Sequence, residues 1–322
     1  MPAIPPLPVA CPTLEAADRA LEAASPASVG RPYLGMSGIG AECERQSWYS
    51  YRWCKRIQHD AETLKRFADG HAGEALQAER LQAVDGITLL TFDPETGSQF
   101  GFSDVRDHFK GHMDGAIVGL LQAPKTWHVW EHKQVGEKKF AKLIKLKVEL
   151  GEKNALQKWD ATYYAQAVLY MHFSGMDRHY LTCSTPGGRA TVAVRTNADE
   201  AAALRLIAKA ERIISAQEPP ARISEDASFY LCRWCSFSPI CHGDAWAERT
   251  CRSCLHSTPV DQGQWDCNRW GKVLSDAEQR DGCGAHKLIP ALVPGEQVDV
   301  RDDAVIYRMP DGSEWSDSEC PF

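Results

Sequence analysis

Eight of the chain's twelve cysteines fall between Cys232 and Cys320, and two pairs among them, Cys232/Cys235 and Cys251/Cys254, have CxxC spacing. No other feature constrains the fold as much. Cysteine is about 4% of the 322 residues, below the roughly 8–10% of a disulfide scaffold. A chain this long can bury a core without such staples. In a reducing compartment, clustered cysteines at this spacing are metal ligands more often than disulfides. The first expectation is therefore a small Cys-rich metal module at the C-terminal end.

Composition narrows the rest only by exclusion. Hydrophobic and charged contents of 43% and 25% are ordinary for a globular protein and name no function. No apolar run approaches the roughly 20 residues needed to span a bilayer. The N-terminus is rich in Pro and Ala and lacks a basic start before an apolar core, so it does not read as a secretory signal. The expected location is cytoplasmic. A net charge of −7 argues against a general polyanion binder, but phosphates are contacted by a local patch. Residues 133–153 supply one, with seven lysines against three glutamates.

Along the chain, residues 1–30 read as a flexible leader with a short Ala-rich helix over 13–24. Residues 41–83 read as helical, broken at the Asp69-Gly70 turn signal. The period then changes. GITLLTFD (86–93), GHMDGAIVGLL (111–121) and TWHVWEHK (126–133) read as strands, with a turn at 93–97. A lysine-rich segment and one long amphipathic helix over 155–174 follow. Two more strands (HYLTCST and TVAVRT) and a helix over 198–217, ended by Pro219-Pro220, complete the pattern. Beyond Phe229 it becomes irregular. The predicted fold class is α/β, a mixed central sheet flanked by helices, spanning 31–242, with a separate module over 243–322.

On a strand, residues two apart project from the same face. Glu131 and Lys133 therefore point together, and a neighbouring strand can bring Asp114 beside them. Two hard carboxylates on one face suit Mg²⁺ or Mn²⁺. Such an ion polarises a phosphodiester and acidifies water, while the lysine orients water or stabilises charge on the phosphorane. Upstream, His71 and Glu74 lie three apart on one helix face; downstream, Gln166 and Tyr170 lie four apart on another. His112 reads as a packing residue.

Taken together, His71, Asp114 in GHMDG, Glu131 and Lys133 in EHK, and Gln166-x-x-x-Tyr170 resemble the RecB-type branch of the PD-(D/E)xK nucleases over roughly residues 31–242. That branch includes iron–sulfur exonucleases of CRISPR adaptation and phage recombination exonucleases. The resemblance implies a restriction-endonuclease-like core and a metal-dependent DNA exonuclease. It implies that His71, Asp114, Glu131 and the backbone carbonyl of His132 bind Mg²⁺ or Mn²⁺, and that Lys133 is the catalytic lysine. Gln166 and Tyr170 would position the DNA strand or water, and Glu74 would assist a second metal or face solvent. The alternatives are a CRISPR-adaptation-type nuclease trimming DNA ends and a non-catalytic DNA-binding scaffold.

Cys232, Cys235 and Cys241 form a C-x2-C-x5-C run that needs a fourth ligand, for which Cys43 and Cys54 are available. The resemblance implies Cys43 and a [4Fe–4S] cluster clasping the two ends of the chain; a four-thiolate zinc site fits the same ligands. A second group, Cys251, Cys254 and Cys267 with Cys283 or else His286, has the spacing of a structural zinc site, with Cys283 preferred. The surrounding sequence is polar and short on core residues, as expected of a module held by a metal. His256 reads as a bystander, and Cys11, Cys183 and Cys320 as plain thiols. The extra module favours a phage or mobile-element exonuclease over the CRISPR branch. By analogy alone, its partners would be linear duplex or single-stranded DNA ends and a single-strand annealing protein.

Overall fold

The computed structural model describes residues 11–318 except residue 303; Cys320 and residues 1–10 of the leader lie outside the described residues. The first elements are α1 (Pro12–Ala24), β1 (Leu34–Gly35), α2 (Glu44–Tyr51) and α3 (Ala61–Gln82). Next come β2 (Thr88–Leu90), β3 (Gly101–Asp104), β4 (Phe109–His112), β5 (Gly115–Val118) and β6 (His128–Gln134). Three helices follow, α4 (Glu137–Leu150), α5 (Glu152–Trp159) and α6 (Ala161–Ser174), then β7 (Arg178–Ser184), β8 (Thr191–Asn197) and α7 (Glu200–Ser215).

β2, β5, β6, β7 and β8 form a mixed five-stranded sheet in that order, and only the β6–β7 pair is parallel. A parallel pair needs a crossover, and α4, α5 and α6 provide it. α3 packs against β6, while α6 packs against β6, β7 and α7. Strand β6 is therefore central, and its residues 128–132 are buried. A central strand is normally near-continuously apolar. Here Glu131 and His132 interrupt that rule, which marks the site.

Several sequence expectations change. The 12–24 helix of the leader is docked: Asp18 pairs with Lys65 at 2.5 Å, and Glu22 Oε1 accepts from the Ala61 N–H at 2.8 Å. The helical region breaks before Ala61, where Asp60 caps α3, and not at Asp69-Gly70, which α3 runs through. The long helix expected over 155–174 is two. Asp160 adopts an extended backbone and accepts hydrogen bonds from the Thr162 and Tyr163 N–H groups at 2.9 and 3.0 Å, starting α6 anew.

The C-terminal elements are α8 (Tyr230–Arg233), α9 (Ser238–Cys241), β9 (Ser257–Pro259), β10 (Trp265–Cys267), β11 (Lys272–Leu274) and α10 (Asp276–Asp281). A last antiparallel sheet joins β12 (Glu296–Arg301), β13 (Ala304–Arg308) and β14 (Glu314–Ser316). These elements do not stand apart from the rest. Trp265, Leu274, Ile289 and Leu292 belong to the same buried cluster as Trp48, Tyr51 and Phe109.

Candidate active site

The polar cleft lies where β5 and β6 meet, beneath α3. Asp114 sits between β4 and β5, and the His132 backbone N–H donates to its Oδ2 at 3.0 Å. Glu131 and Lys133 project from β6 on one face, with Lys133 Nζ 2.6 Å from Glu131 Oε2 and 3.7 Å from Asp114 Oδ2. The His132 ring takes the opposite face. Its Nδ1 and Nε2 lie 3.0 Å from Thr182 Oγ1 and Ser184 Oγ, both on β7. Thr182 gives its own proton to Glu131 O at 3.2 Å, so the His132 Nδ1 donates. This ladder fixes the strand that carries the acidic pair.

Glu131 is 1% exposed, and its Oε1 is buried with no hydrogen-bond partner. Burial, reinforced by the charge of Asp114 and opposed by Lys133, pushes its carboxyl up to about 8. Glu74 on α3 faces the same group: burial and then Asp114 push it up to about 7. Three carboxyl groups thus share one ammonium. Burial works against the charge of Lys133, but Glu131 and Asp114 outweigh it and hold its pKa above the ordinary value. Burial, with Lys133 adding to it, lowers His132 to about 4, so its ring is neutral at pH 7.

A cavity of about 530 Å³ has His71, Glu74, Asp114, Lys133, Gln166 and Tyr170 in its wall; Glu131 lies buried behind Lys133 and Asp114 and is not part of that wall. Gln166 Nε2 lies 3.5 Å from the Tyr170 hydroxyl, and burial raises the Tyr170 pKa. Six positions that the sequence did not single out for the site share the wall: Arg31, Tyr33, Ser37, Gln99, Gly111 and His112. His112, read as packing, faces the cleft. Gly111 packs closely against Tyr170: a Cβ there would come within 2.8 Å of Tyr170 Cε1 and Met36 Cβ.

The cysteines sort into two cavities. Cys43, Cys232, Cys235 and Cys241 line one with Arg45, Tyr49 and Arg222; Cys54 is fully buried in the core and is not in that wall. Cys251, Cys254, Cys267, Cys283, His256 and His286 line the other. Among the described residues, no three His, Cys, Asp or Glu side chains stand in metal-binding geometry.

No protein-family model matches this chain, and no curated protein matches it. Among solved structures, the crystal structure of SSO0001 aligns at 16% identity over 72% of this chain and 96% of that one, with a TM-score of 0.39. An alkaline exonuclease, LHK-Exo from Laribacter hongkongensis, aligns at 12% identity over 61% of this chain and 90% of its own, with a TM-score of 0.38. The same exonuclease in complex with dAMP aligns at 10% identity over 56% and 86%, again at 0.38. Likeness at this level fixes no shared activity. No helix among the described residues is long and apolar enough to cross a membrane.

Proposed function

We propose that the cleft hydrolyses phosphodiester bonds at DNA ends, as a nuclease dependent on Mg²⁺ or Mn²⁺. The observation that carries this reading is the buried, unpartnered Glu131 Oε1 beside Asp114 and Glu74. A buried carboxyl oxygen without a partner is costly, and a hard divalent cation is the group that best satisfies oxygen donors. Asp114 and Glu131 would hold the ion, with His71, Glu74 and the His132 carbonyl as further donors. A bound ion supplies Lewis-acid polarisation of the phosphodiester and acidifies water.

The remaining roles follow from the side chains themselves. Lys133 keeps its proton, so it acts through its positive charge, stabilising the developing phosphorane and orienting water. Tyr170 also keeps its proton and, with Gln166, donates to the DNA strand or water. Arg31 and Ser37 offer phosphate contacts across the cleft. Lys138, Lys142 and Lys145 are exposed on α4, which begins just after the catalytic strand; they would track the backbone. Lys139 and Lys147 are tied to Asp160 and to Ala193 O at 2.6 and 2.7 Å, while Lys142 reaches Trp159 O at 3.2 Å and Lys145 pairs with Glu149 at 3.7 Å.

The set Cys43, Cys232, Cys235 and Cys241 suits a [4Fe–4S] cluster by its donor chemistry. Arg45 and Arg222 in the same wall would offset its negative charge. Hydrolysis needs no electron transfer, so the role assigned to the cluster is structural, joining the segment before α2 to α8 and α9.

The test is end-labelled linear DNA incubated with anaerobically purified protein and Mn²⁺, comparing wild type, Asp114→Asn and Lys133→Ala. Cleavage should fall roughly 100- to 1000-fold in each variant, with iron content and circular dichroism unchanged. Absence of cleavage by metal-loaded wild type would leave a non-catalytic DNA-binding scaffold.

A further inference from the structure

We propose that Cys251, Cys254, Cys267 and Cys283 close on one Zn²⁺ ion, and that this ion locks Arg252 into the core of the protein. The inference rests on the C-terminal residues and is independent of the nuclease reading.

The four cysteines come from three places in the chain. Cys251 and Cys254 flank a single turn, Cys267 ends β10, and Cys283 follows α10. All four nevertheless line one cavity of about 490 Å³. Arg269 and Lys272 in the same wall would offset the charge of a four-thiolate site.

Among the candidate ligands, His286 is otherwise engaged. Its Nε2 lies 3.0 Å from Thr250 O. Four soft sulfurs without an oxygen donor favour tetrahedral Zn²⁺ over Mg²⁺ or Ca²⁺. Cys251 Sγ donates to Glu278 O at 3.2 Å. Binding would exchange that bond for a metal–sulfur bond, with four thiols releasing four protons to give a tetrathiolate carrying two negative charges.

Arg252 lies between the two cysteines of the turn and is 1% exposed. Its guanidinium lies 3.7 Å from the centre of the Trp53 ring and 4.8 Å from that of Trp265, and its Nε donates to Gln279 at 2.9 Å. β9, β10 and β11 are three residues each, too short to hold the turn rigidly by themselves. A metal crosslinking the turn to β10 and to the end of α10 would fix both backbone anchors of this side chain.

The experiment measures zinc and iron in full-length wild type and in Cys283→Ser, Cys267→Ser, Cys241→Ser and His286→Ala. About one zinc per chain should appear in wild type, Cys241→Ser and His286→Ala, and be lost in the other two. Should those two fail to fold, wild type loaded with Co²⁺ decides, through the intense visible bands of a tetrahedral thiolate site. Chelation of the wild-type zinc should also change the tryptophan fluorescence, as Arg252 leaves Trp53 and Trp265. Wild type without zinc and without the cobalt spectrum would overturn the proposal. So would zinc retained in Cys283→Ser and lost in Cys241→Ser, or chelation that leaves the fluorescence unchanged.

Discussion

If Glu131 is a cation ligand, ion binding must compete with a proton. With its carboxyl pushed up to about 8, Glu131 is roughly 90% protonated at pH 7, and binding a divalent ion there should release about 0.9 proton. The sign follows directly. Below pH 8 each unit of acidification weakens binding about tenfold, and above pH 8 the affinity levels off, a difference of about 1.4 kcal/mol between pH 7 and the plateau. Glu74, pushed up to about 7, adds about half a proton at pH 7 only if it also ligates. The assay is calorimetric titration of metal-free protein with Mn²⁺ from pH 6 to 9, in two buffers of different ionisation enthalpy. Glu131→Gln should remove about 0.9 proton from the release, and Glu74→Gln should lower it only if Glu74 is a ligand. Affinity independent of pH, with no proton released by wild type, would refute the reasoning. The same ionisation acts on the metal-free fold in the opposite sense. The raised pKa means that stability is full below about pH 4.5 and declines as pH rises through about 8.

Two further outcomes follow from local geometry. Asp160→Ala removes the cap of α6 and should cost about 1 kcal/mol, read as a lower urea midpoint with an unchanged slope. Gly40→Ala would place a Cβ 2.6 Å from the Thr162 Cα; since backbone cannot move aside cheaply, it should cost about 1–3 kcal/mol, seen as a lower Tm.

The acidic pair and its lysine were legible because they share one strand with period two, and Gln166 and Tyr170 because they share one helix face. Arg31, Tyr33 and Ser37 were not. They belong to the cleft only because β1 pairs in parallel with β4, Leu34 opposite Phe109, a contact spanning more than 70 positions that no local pattern announces. The misplaced helix break has a similar cause. Gly70 costs a helix about 1 kcal/mol, which the packing of the 22-residue α3 outweighs. At residue 160 the reverse holds: apolar periodicity continues across Asp160, but its side chain offers the backbone a better partner as a cap than as part of a continuous helix. Strand β3 escaped notice because GFSD is short and half polar, as a sheet-edge strand can be, and the single strand expected over 111–121 is instead the end of β4 and the whole of β5.

The sequence reads the C-terminal residues as a module of their own, and two buried arginines link them to the rest of the chain. Arg52 is fully buried and Arg252 is 1% exposed, and no carboxylate pairs with either among the ion pairs of the described residues. Burial lowers them to about 10 and about 9, so both remain charged at pH 7. Only carbonyls and ring faces offset that desolvation, and they come from opposite ends of the chain. Arg52 donates to Arg252 O and Ser257 O at 3.2 Å and to Ala216 O at 3.0 Å, and its guanidinium lies 4.9 Å from the centre of the Trp265 ring. Remove the C-terminal residues and Arg52 keeps its charge while losing two of these carbonyls and that ring, a loss of several kcal/mol for a buried cation. A chain ended at residue 242 should therefore lack a cooperative thermal transition, even though it retains every proposed catalytic residue. A truncated protein that unfolds cooperatively near the wild-type Tm would show instead that the two parts fold independently, and that the arginine interlock contributes little.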